Sequence, residues 1–355
     1  MPMRALVWRP GPSLTYEMVP EPPPPGRDQA IVEVAFCGIC GTDVSEYTHG
    51  PVMIRPGPHP LTGARPPMIL GHEFSGRVVA TGPGAERLRA GQRVVTDPCW
   101  RCGQCYWCRR GDYQICKVGG SVGLASDGAL ARYVTVPTEG LVPLPDSVDD
   151  QTAALTEPLA VALHAVGRGE VGAGSRVLIQ GFGPVGAAVL LAARARGAED
   201  VFVSEPSAGR RQLAGSMGAS AAYDPAACSV RTEVYRETGK VGPDVIFECT
   251  GIPGLLEESV SSVRKGGKVV MVGIGHGNAQ LSGWQIVPYE REIIGSLGYR
   301  NDLPRVVELL ASGQIDPRPL ITSVVSLRSA ISGAFDVLAG GGGREMKILI
   351  DVQAS

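Results

Sequence analysis

The stretch RVLIQGFGPVGAAVLLAARARGAEDVFVSE, residues 176–205, decides the fold. It opens with a compact apolar run, Arg176–Gln180, passes through GFGPVG, continues into a segment of helical length to Arg196, and reaches a second short run, Val201–Ser204. Strand, glycine turn, helix and strand in that order make one unit of a doubly wound parallel sheet. Gly181, Gly183 and Gly186 permit a tight turn and close backbone approach to a pyrophosphate, which the following helix meets with its N-terminal N–H groups. Pro184 suits a first helical position, because its missing N–H has no intrahelical partner there, and Val185 completes the loop. Glu205 stands 19 residues after Gly186, the distance at which a carboxylate meets adenosine ribose hydroxyls. An acid at that point favours NAD over NADP; Arg210 and Arg211 in the next helix are the groups that would serve a phosphate instead.

The same alternation runs on. Ser207–Met217, Val245–Glu248, Gly254–Val263 and Lys268–Gly273 read as helix, strand, helix and strand. It is preceded by a helical pattern over Thr152–Arg168 and stops after about Gly295. The helix Leu303–Ser312 and the strand-like Lys347–Val352 are expected to return to the first domain. The first 150 residues read instead as short strands between turns, among them Ala30–Ala35, Ser75–Thr81, Gln92–Thr96 and Ala131–Val136, with no long helical period before Asp150. The segment Gly50–Pro67 is too rich in proline and glycine for regular structure and reads as a surface excursion near the site.

With 355 residues the chain is long enough for two cores, and 44% apolar with 19% charged residues is an ordinary soluble composition. A net charge of -2 gives no case for nucleic acid or anionic membrane, and the longest apolar stretch, near Val185–Ala193, is far short of a bilayer span. The start MPMRALVWRPG has no apolar core of signal-peptide length, so the cytoplasm is the expected compartment.

Cys102, Cys105, Cys108 and Cys116 are separated by 3, 3 and 8 residues within a lobe of about 97–118. Thiolates this close can fill the tetrahedron of one Zn²⁺, with Gly103 and Gly111 allowing the turns. Such a closed lobe fixes structure, so the chemistry is to be sought elsewhere. Cys99 is a spare beside it, and Cys37 reads as a small apolar strand residue. Elsewhere Cys40, His72, Glu73 and Glu157 offer thiolate, imidazole and carboxylate ligands, though their separation in sequence brings none of them together. Thr156-Glu157-Pro158 also reads as a helix start with Thr156 as its cap.

CGICGTD (37–43), LGHEFSG (70–76), the cysteine lobe, TEPLAVALHAV (156–166) and GFGPVG (181–186) occur in an order that resembles the zinc-dependent medium-chain dehydrogenase/reductase family. The stretches at 50–76 and 293–322 resemble its polyol branch, the sorbitol and 2,3-butanediol dehydrogenases. The resemblance implies a β-rich GroES-like catalytic domain over residues 1–155, a Rossmann domain over 156–294 and a returning segment over 295–355. It implies two zinc ions per chain, the structural one in the lobe and a catalytic one on Cys40, His72 and Glu73. Glu157 would sit beside that ion or exchange with Glu73. Asp43 would orient the histidine, and Thr42 would bond the substrate hydroxyl. Zinc with an open position and a bound nicotinamide supply what hydride transfer from a secondary alcohol needs. The activity implied is interconversion of a small secondary alcohol, a vicinal diol or polyol, with its ketone. Homodimers or homotetramers are usual in the family.

One position departs from the pattern: Ser45 stands where many members carry a proton-relaying histidine, so Glu46 and His49 are alternative relay groups. His59, in the Pro-rich excursion, is a candidate to face substrate; His164 reads as a core histidine; His276 is a candidate neighbour of the nicotinamide. Two other functions fit the same motifs: a biosynthetic dehydrogenase of a cyclitol, amino sugar or natural-product hydroxyl, and a noncatalytic protein that binds zinc and a dinucleotide.

Overall fold

The computed structural model describes residues 1–354 except 12, 276 and 342–344, so the expectation for His276 lies outside the described residues. The chain separates into two compact units. The first holds residues 1–157, 303–311 and 321–355, and the second holds 158–302 and 312–320. The segments 295–302 and 312–320 thus belong with the second unit.

The first unit is built on a seven-stranded sheet. Its strands run Leu141–Pro143, Arg93–Thr96, Glu73–Thr81, Gln29–Gly38, Lys347–Asp351 and Ile321–Ser326 in spatial order, with Tyr133–Pro137 also pairing to Gln29–Gly38. Gln29–Gly38 is long enough to change partners along its length. Gln29–Glu33 pairs with Tyr133–Pro137, and Phe36–Gly38 pairs with the last strand of the chain. Gly38 therefore stands opposite Glu73 on one side and Leu349 on the other. Opposed residues share a face of a sheet, and so does a residue two positions along; Gly38, Glu73 and Lys347 thus lie on one face. Leu6, Trp8, Val32, Val34, Leu70 and Leu130 fill the core beneath.

A nine-residue helix, Gly41–His49, occupies a region in which the sequence showed no helical period. It has no apolar stripe to announce it. Its start is fixed instead by Asp43, whose carboxylate accepts the Cys40 N–H at 3.0 Å. The helix expected over Thr152–Arg168 is two pieces, Asp150–Ala153 and Thr156–Arg168. Thr156 is not the expected cap, for its hydroxyl donates back to the Ala153 carbonyl at 2.6 Å. The excursion at 50–67 carries no regular element.

The second unit holds a six-stranded sheet in the order Ala221–Tyr223, Asp200–Ser204, Arg176–Gln180, Val245–Glu248, Lys268–Met271 and Glu292–Gly295. Every pairing is parallel. The order reverses direction at Arg176–Gln180, the strand that feeds the glycine loop, as a doubly wound sheet requires. Ala221–Tyr223 and Glu292–Gly295 are edge strands that apolar runs did not mark, being only partly buried.

Candidate active site

Three separate segments meet in the first unit. Cys40 precedes the helix Gly41–His49, His72 and Glu73 open the strand Glu73–Thr81, and Glu157 lies in the first turn of Thr156–Arg168. The turn before His72 depends on Gly71, which has φ +97° and whose Cβ would meet the Cys37 sulfur at 2.8 Å. Ligand atoms of Cys40, His72 and Glu73 all lie within 4.8 Å of one another. Glu157 falls outside that set, but its charge is felt by His72. Thr42 Oγ1 is 3.7 Å from the Cys40 sulfur.

Asp43 is fully buried and accepts two backbone amides, from Cys40 at 3.0 Å and Gly71 at 3.2 Å. Burial pushes its carboxyl above the usual range against the pull of His72. Its Oδ1 lies 3.7 Å from His72 Nδ1, a buried nitrogen with no hydrogen-bond partner. Burial disfavours a charged imidazole at His72, yet Asp43, Cys40 and Glu157 together outweigh burial and hold its pKa well above the histidine range. A site negative enough to keep a proton on a buried histidine is one that accepts a cation, and thiolate, imidazole and carboxylate are zinc donors. Burial, with Glu73 nearby, also pushes Glu157 up to about 8, against the pull of His72.

Sequence reasoning missed Lys347. It is 3% exposed, and its ammonium donates to both oxygens of Glu73, at 2.9 and 2.6 Å, and to the Ile39 carbonyl at 3.1 Å. Burial works against that charge, but Glu73 and Cys40 outweigh it and raise the pKa. Glu73 and Lys347 are 274 residues apart in sequence, so only the return of the last strand joins them.

The relay candidates separate. Glu46 is fully buried and its carboxylate takes the amides of Val52, Met53 and Ile54, so it clamps the start of the excursion and is not a relay group. Ser45 Oγ donates to the Gly41 carbonyl at 3.0 Å. His49 is exposed at the helix end, its Nδ1 2.7 Å from Thr48 Oγ1. His59 is 6% exposed and packs its Nε2 3.4 Å from the Gly119 carbonyl, beside the cysteine lobe. His164 is partnered by Asp302 at 3.2 Å.

In the lobe, sulfur separations are 3.6 Å for Cys102–Cys116 and 3.9 Å for both Cys102–Cys108 and Cys105–Cys116. A tetrahedron with Zn–S bonds of about 2.3 Å has edges of about 3.8 Å, so the four thiols fit the ion. All nine cysteines are free. Burial pushes Cys99 up to about 12, so it stays a thiol, and it is not in the ligand cluster. The lobe is anchored through Asp97, which accepts the Tyr113 hydroxyl at 2.7 Å and the Cys99 amide at 3.0 Å.

In the second unit, Gly183 caps the helix Pro184–Ala195 with Pro184 in its first turn. A Cβ on Gly186 would run into the Gly181 carbonyl, whereas one on Gly183 would meet nothing within 4 Å. The turn is therefore tight within and open above, as a dinucleotide cradle needs. Glu205 is 5% exposed; its carboxylate accepts the Phe182 amide at 2.8 Å and the Ser207 amide at 2.9 Å. Arg211 is engaged with Asp224 at 3.1 Å and with the Glu205 and Pro206 carbonyls, while Arg210 lies half-buried on the helix Ala208–Ser216.

Residues 26–146 match the alcohol dehydrogenase GroES-like domain, and residues 184–312 match the zinc-binding dehydrogenase domain. The chain is 36% identical to (R,R)-butanediol dehydrogenase of Bacillus subtilis strain 168 over 95% of its own length and 96% of the relative's. It is 34% identical to sorbitol dehydrogenase of the same organism, over 92% and 90% of the two chains. The crystal structure of 2R,3R-butanediol dehydrogenase from Bacillus subtilis superposes with a TM-score of 0.92 at 35% identity, covering 99% of this chain and 100% of that one.

Proposed function

We infer, because the chain belongs to the zinc-dependent medium-chain dehydrogenase/reductase family, that it interconverts a small secondary alcohol and its ketone by hydride transfer with NAD. Similarity to butanediol and sorbitol dehydrogenases over almost the whole chain supports a vicinal diol or polyol as substrate. The observation that carries the reading is the convergence of Cys40, His72 and Glu73 from distant segments to within 4.8 Å.

When bound, zinc acidifies the substrate hydroxyl or polarises the ketone, and the nicotinamide carries the hydride. The chain's own residues do the rest. Cys40, His72 and Glu73 hold the metal, and Asp43, itself pinned by two amides, fixes the His72 ring. The Thr42 hydroxyl takes a hydrogen bond from the alcohol and begins its deprotonation. Glu157, outside the ligand cluster and holding its proton through burial, is the carboxyl that would exchange with Glu73 once a bound cation offsets that burial. Gly181, Gly183, Pro184, Val185 and Gly186 cradle the pyrophosphate, and Glu205 takes the ribose hydroxyls while restraining the Phe182 amide. Arg210 stands on the adenosine side. Cys102, Cys105, Cys108 and Cys116 hold the second zinc, which stabilises the fold without entering the chemistry.

The proposed assembly is a homodimer or homotetramer. Its support is the open edge strand Glu292–Gly295, near which Trp284 is 82% and Val287 75% exposed. Among the described residues no helix is long and apolar enough to cross a membrane, and the cytoplasm is the proposed compartment.

A coenzyme-coupled panel of butanediol stereoisomers, sorbitol, inositol and threonine, with NAD and NADP, tests the reading. Turnover on a diol or polyol is expected with about two zinc ions per chain. One zinc and no turnover on the panel would refute it in favour of a noncatalytic binder. Turnover confined to inositol would move the substrate to the cyclitols.

A further inference from the structure

We propose that Glu46 is a positioning residue for substrate selection: its buried carboxylate holds Val52 and Met53 over the turn that carries Thr42, so that the site favours an alcohol with methyl flanks over one with hydroxymethyl flanks. The inference rests on the proposed function and narrows its substrate to a diol with apolar ends.

Glu46 is fully buried, and its carboxylate accepts three consecutive backbone amides, Val52 at 3.1 Å, Met53, and Ile54 at 3.0 Å. Successive amides turned on one anion fix the path of the chain that carries them. The clamp is itself held. Its own carbonyl accepts the Trp8 indole at 2.8 Å and the Gly50 amide at 3.0 Å. A Cβ on Gly50 would stand 2.7 Å from both Glu46 Oε2 and Trp8 Cζ2. Ile54, 2% exposed, already anchors the segment in the core. What the carboxylate adds is control of the two residues before it, which are 46% and 57% exposed. The far end of the excursion is tied elsewhere, by the Thr62 hydroxyl to the Ala125 carbonyl.

Glu46 follows Thr42 by four residues, so the two share a face of the helix Gly41–His49. Helical side chains lean toward the N-terminus and cover the turn before their own Cα. The Glu46 carboxylate therefore covers the turn that carries Thr42, and the amides of residues 52–54 dock there. That turn also follows the metal ligand, for Thr42 Oγ1 is 3.7 Å from the Cys40 sulfur. Val52 and Met53 are thus apolar side chains held beside the place assigned to the alcohol. A methyl group set against them leaves water favourably. A hydroxymethyl group there gives up water and finds no hydrogen-bond partner on either side chain. One such difference in an apolar pocket changes selectivity by roughly 10- to 200-fold, and two part-exposed side chains belong at the lower end.

2,3-Butanediol and butane-1,2,3,4-tetrol share a four-carbon chain, and the tetrol only adds a hydroxyl to each end. The test measures kcat and KM for matched stereoisomers of both in the zinc-loaded protein and in Glu46→Gln, Glu46→Asp, Val52→Ser and Met53→Ser, with zinc content and KM for NAD alongside. The parent is expected to prefer the butanediol by about tenfold in kcat/KM. Glu46→Gln and the two serine variants should each lose most of that preference through a higher KM for the butanediol, while kcat for the tetrol and KM for NAD change less than about threefold. Hydrogen exchange of the 52–54 amides reads the clamp without turnover. It should be about tenfold faster in Glu46→Gln and unchanged in Met53→Ser. Exchange that does not quicken in Glu46→Gln, a preference that survives there within about twofold, or one that survives in both serine variants overturns the proposal, as does a parent that prefers the tetrol. If Glu46→Gln does not fold, Glu46→Asp, which keeps the charge and shortens its reach, is held to the same outcomes. A parent that turns over no alcohol refutes the proposed function, and this inference falls with it; turnover of both compounds at a ratio the variants leave unchanged refutes this inference alone.

Discussion

Replacing Gly38 with alanine puts one methyl group where the Glu73–Lys347 pair needs space. The new Cβ would lie 2.5 Å from Glu73 Oε2, 3.4 Å from Glu73 Cβ and 3.5 Å from Lys347 Cδ. To reach ordinary contact the carboxylate must retreat by roughly 0.8 Å. It cannot retreat toward Lys347, whose Nζ is already 2.6 Å from that oxygen. Either the pair opens or the strands Gln29–Gly38 and Glu73–Thr81 move apart. Overpacking alone costs about 1–3 kcal/mol, and an opened buried pair costs more, offset in part by the metal. The expected loss is about 2–4 kcal/mol in the zinc-loaded protein. Urea unfolding followed by tryptophan emission reads it, since Trp8, Trp100 and Trp107 all lie in the first unit. Repeating the substitution in a Lys347→Ala/Glu73→Ala background removes both the Glu73 carboxylate and the Lys347 Cδ, and the cost should fall below about 1 kcal/mol. A Gly38→Ala protein within about 0.5 kcal/mol of the parent and with full metal content would refute the reasoning.

Cys108→Ser should lower zinc from about two ions per chain to one and unfold the 97–118 lobe first, read by metal analysis and limited proteolysis; retention of both ions would show that Cys99 can take its place. Glu205→Ala removes the acceptor of the Phe182 and Ser207 amides. It should raise KM for NAD about tenfold while changing kcat less than about threefold, and leave KM for NADP less affected. Asp244 gives a pH signature. Burial would raise its carboxyl, but the Arg176 amide and the Arg264 and Arg176 guanidinium groups hold it below the ordinary value. Its folded pKa is therefore depressed. The stability it contributes is present above the unfolded aspartate pKa and is lost as pH falls through the folded one. Asp244→Asn should flatten the fall in melting temperature below about pH 4 and lower the plateau at neutral pH; parallel curves would count against it.

The parts of the fold legible in sequence are those whose cause is local. The glycine loop is read from six residues, because the turn, the helix start and the acid at Glu205 are fixed by short-range geometry. The cysteine lobe is legible for the same reason, its ligands lying within 15 residues. The helix Gly41–His49 was not, because its N-terminus is set by one Asp43–amide contact and its faces are polar. Lys347 was invisible for a different reason. KILID reads as an ordinary strand start, and nothing near it signals that its lysine points inward. Register in a sheet is a property of pairing, and only the pairing of Leu349 with Gly38, and of Gly38 with Glu73, puts the lysine beside the carboxylate. Glu46 misled for a related reason, since an acid in a polar helix looks solvent-facing until three amides from the next loop are seen to converge on it.

Three carboxylates surround one histidine, and they differ in how much freedom the chain leaves them. Asp43 is held by two backbone amides and fully buried, so it can only orient the ring beside it. Glu73 is buried and held through both oxygens by the Lys347 side chain, with no backbone amide among its described partners. Glu157 retains some exposure and is bound to neither. Carboxylates of equal freedom would compete for the metal, and two rigid ones would close its last position. In the proposed site, graded restraint avoids both outcomes: Asp43 would orient the histidine, Glu73 would bind the ion, and Glu157 would stand beside it. The open position that alcohol chemistry requires then follows from the unequal tethers as much as from the choice of ligands.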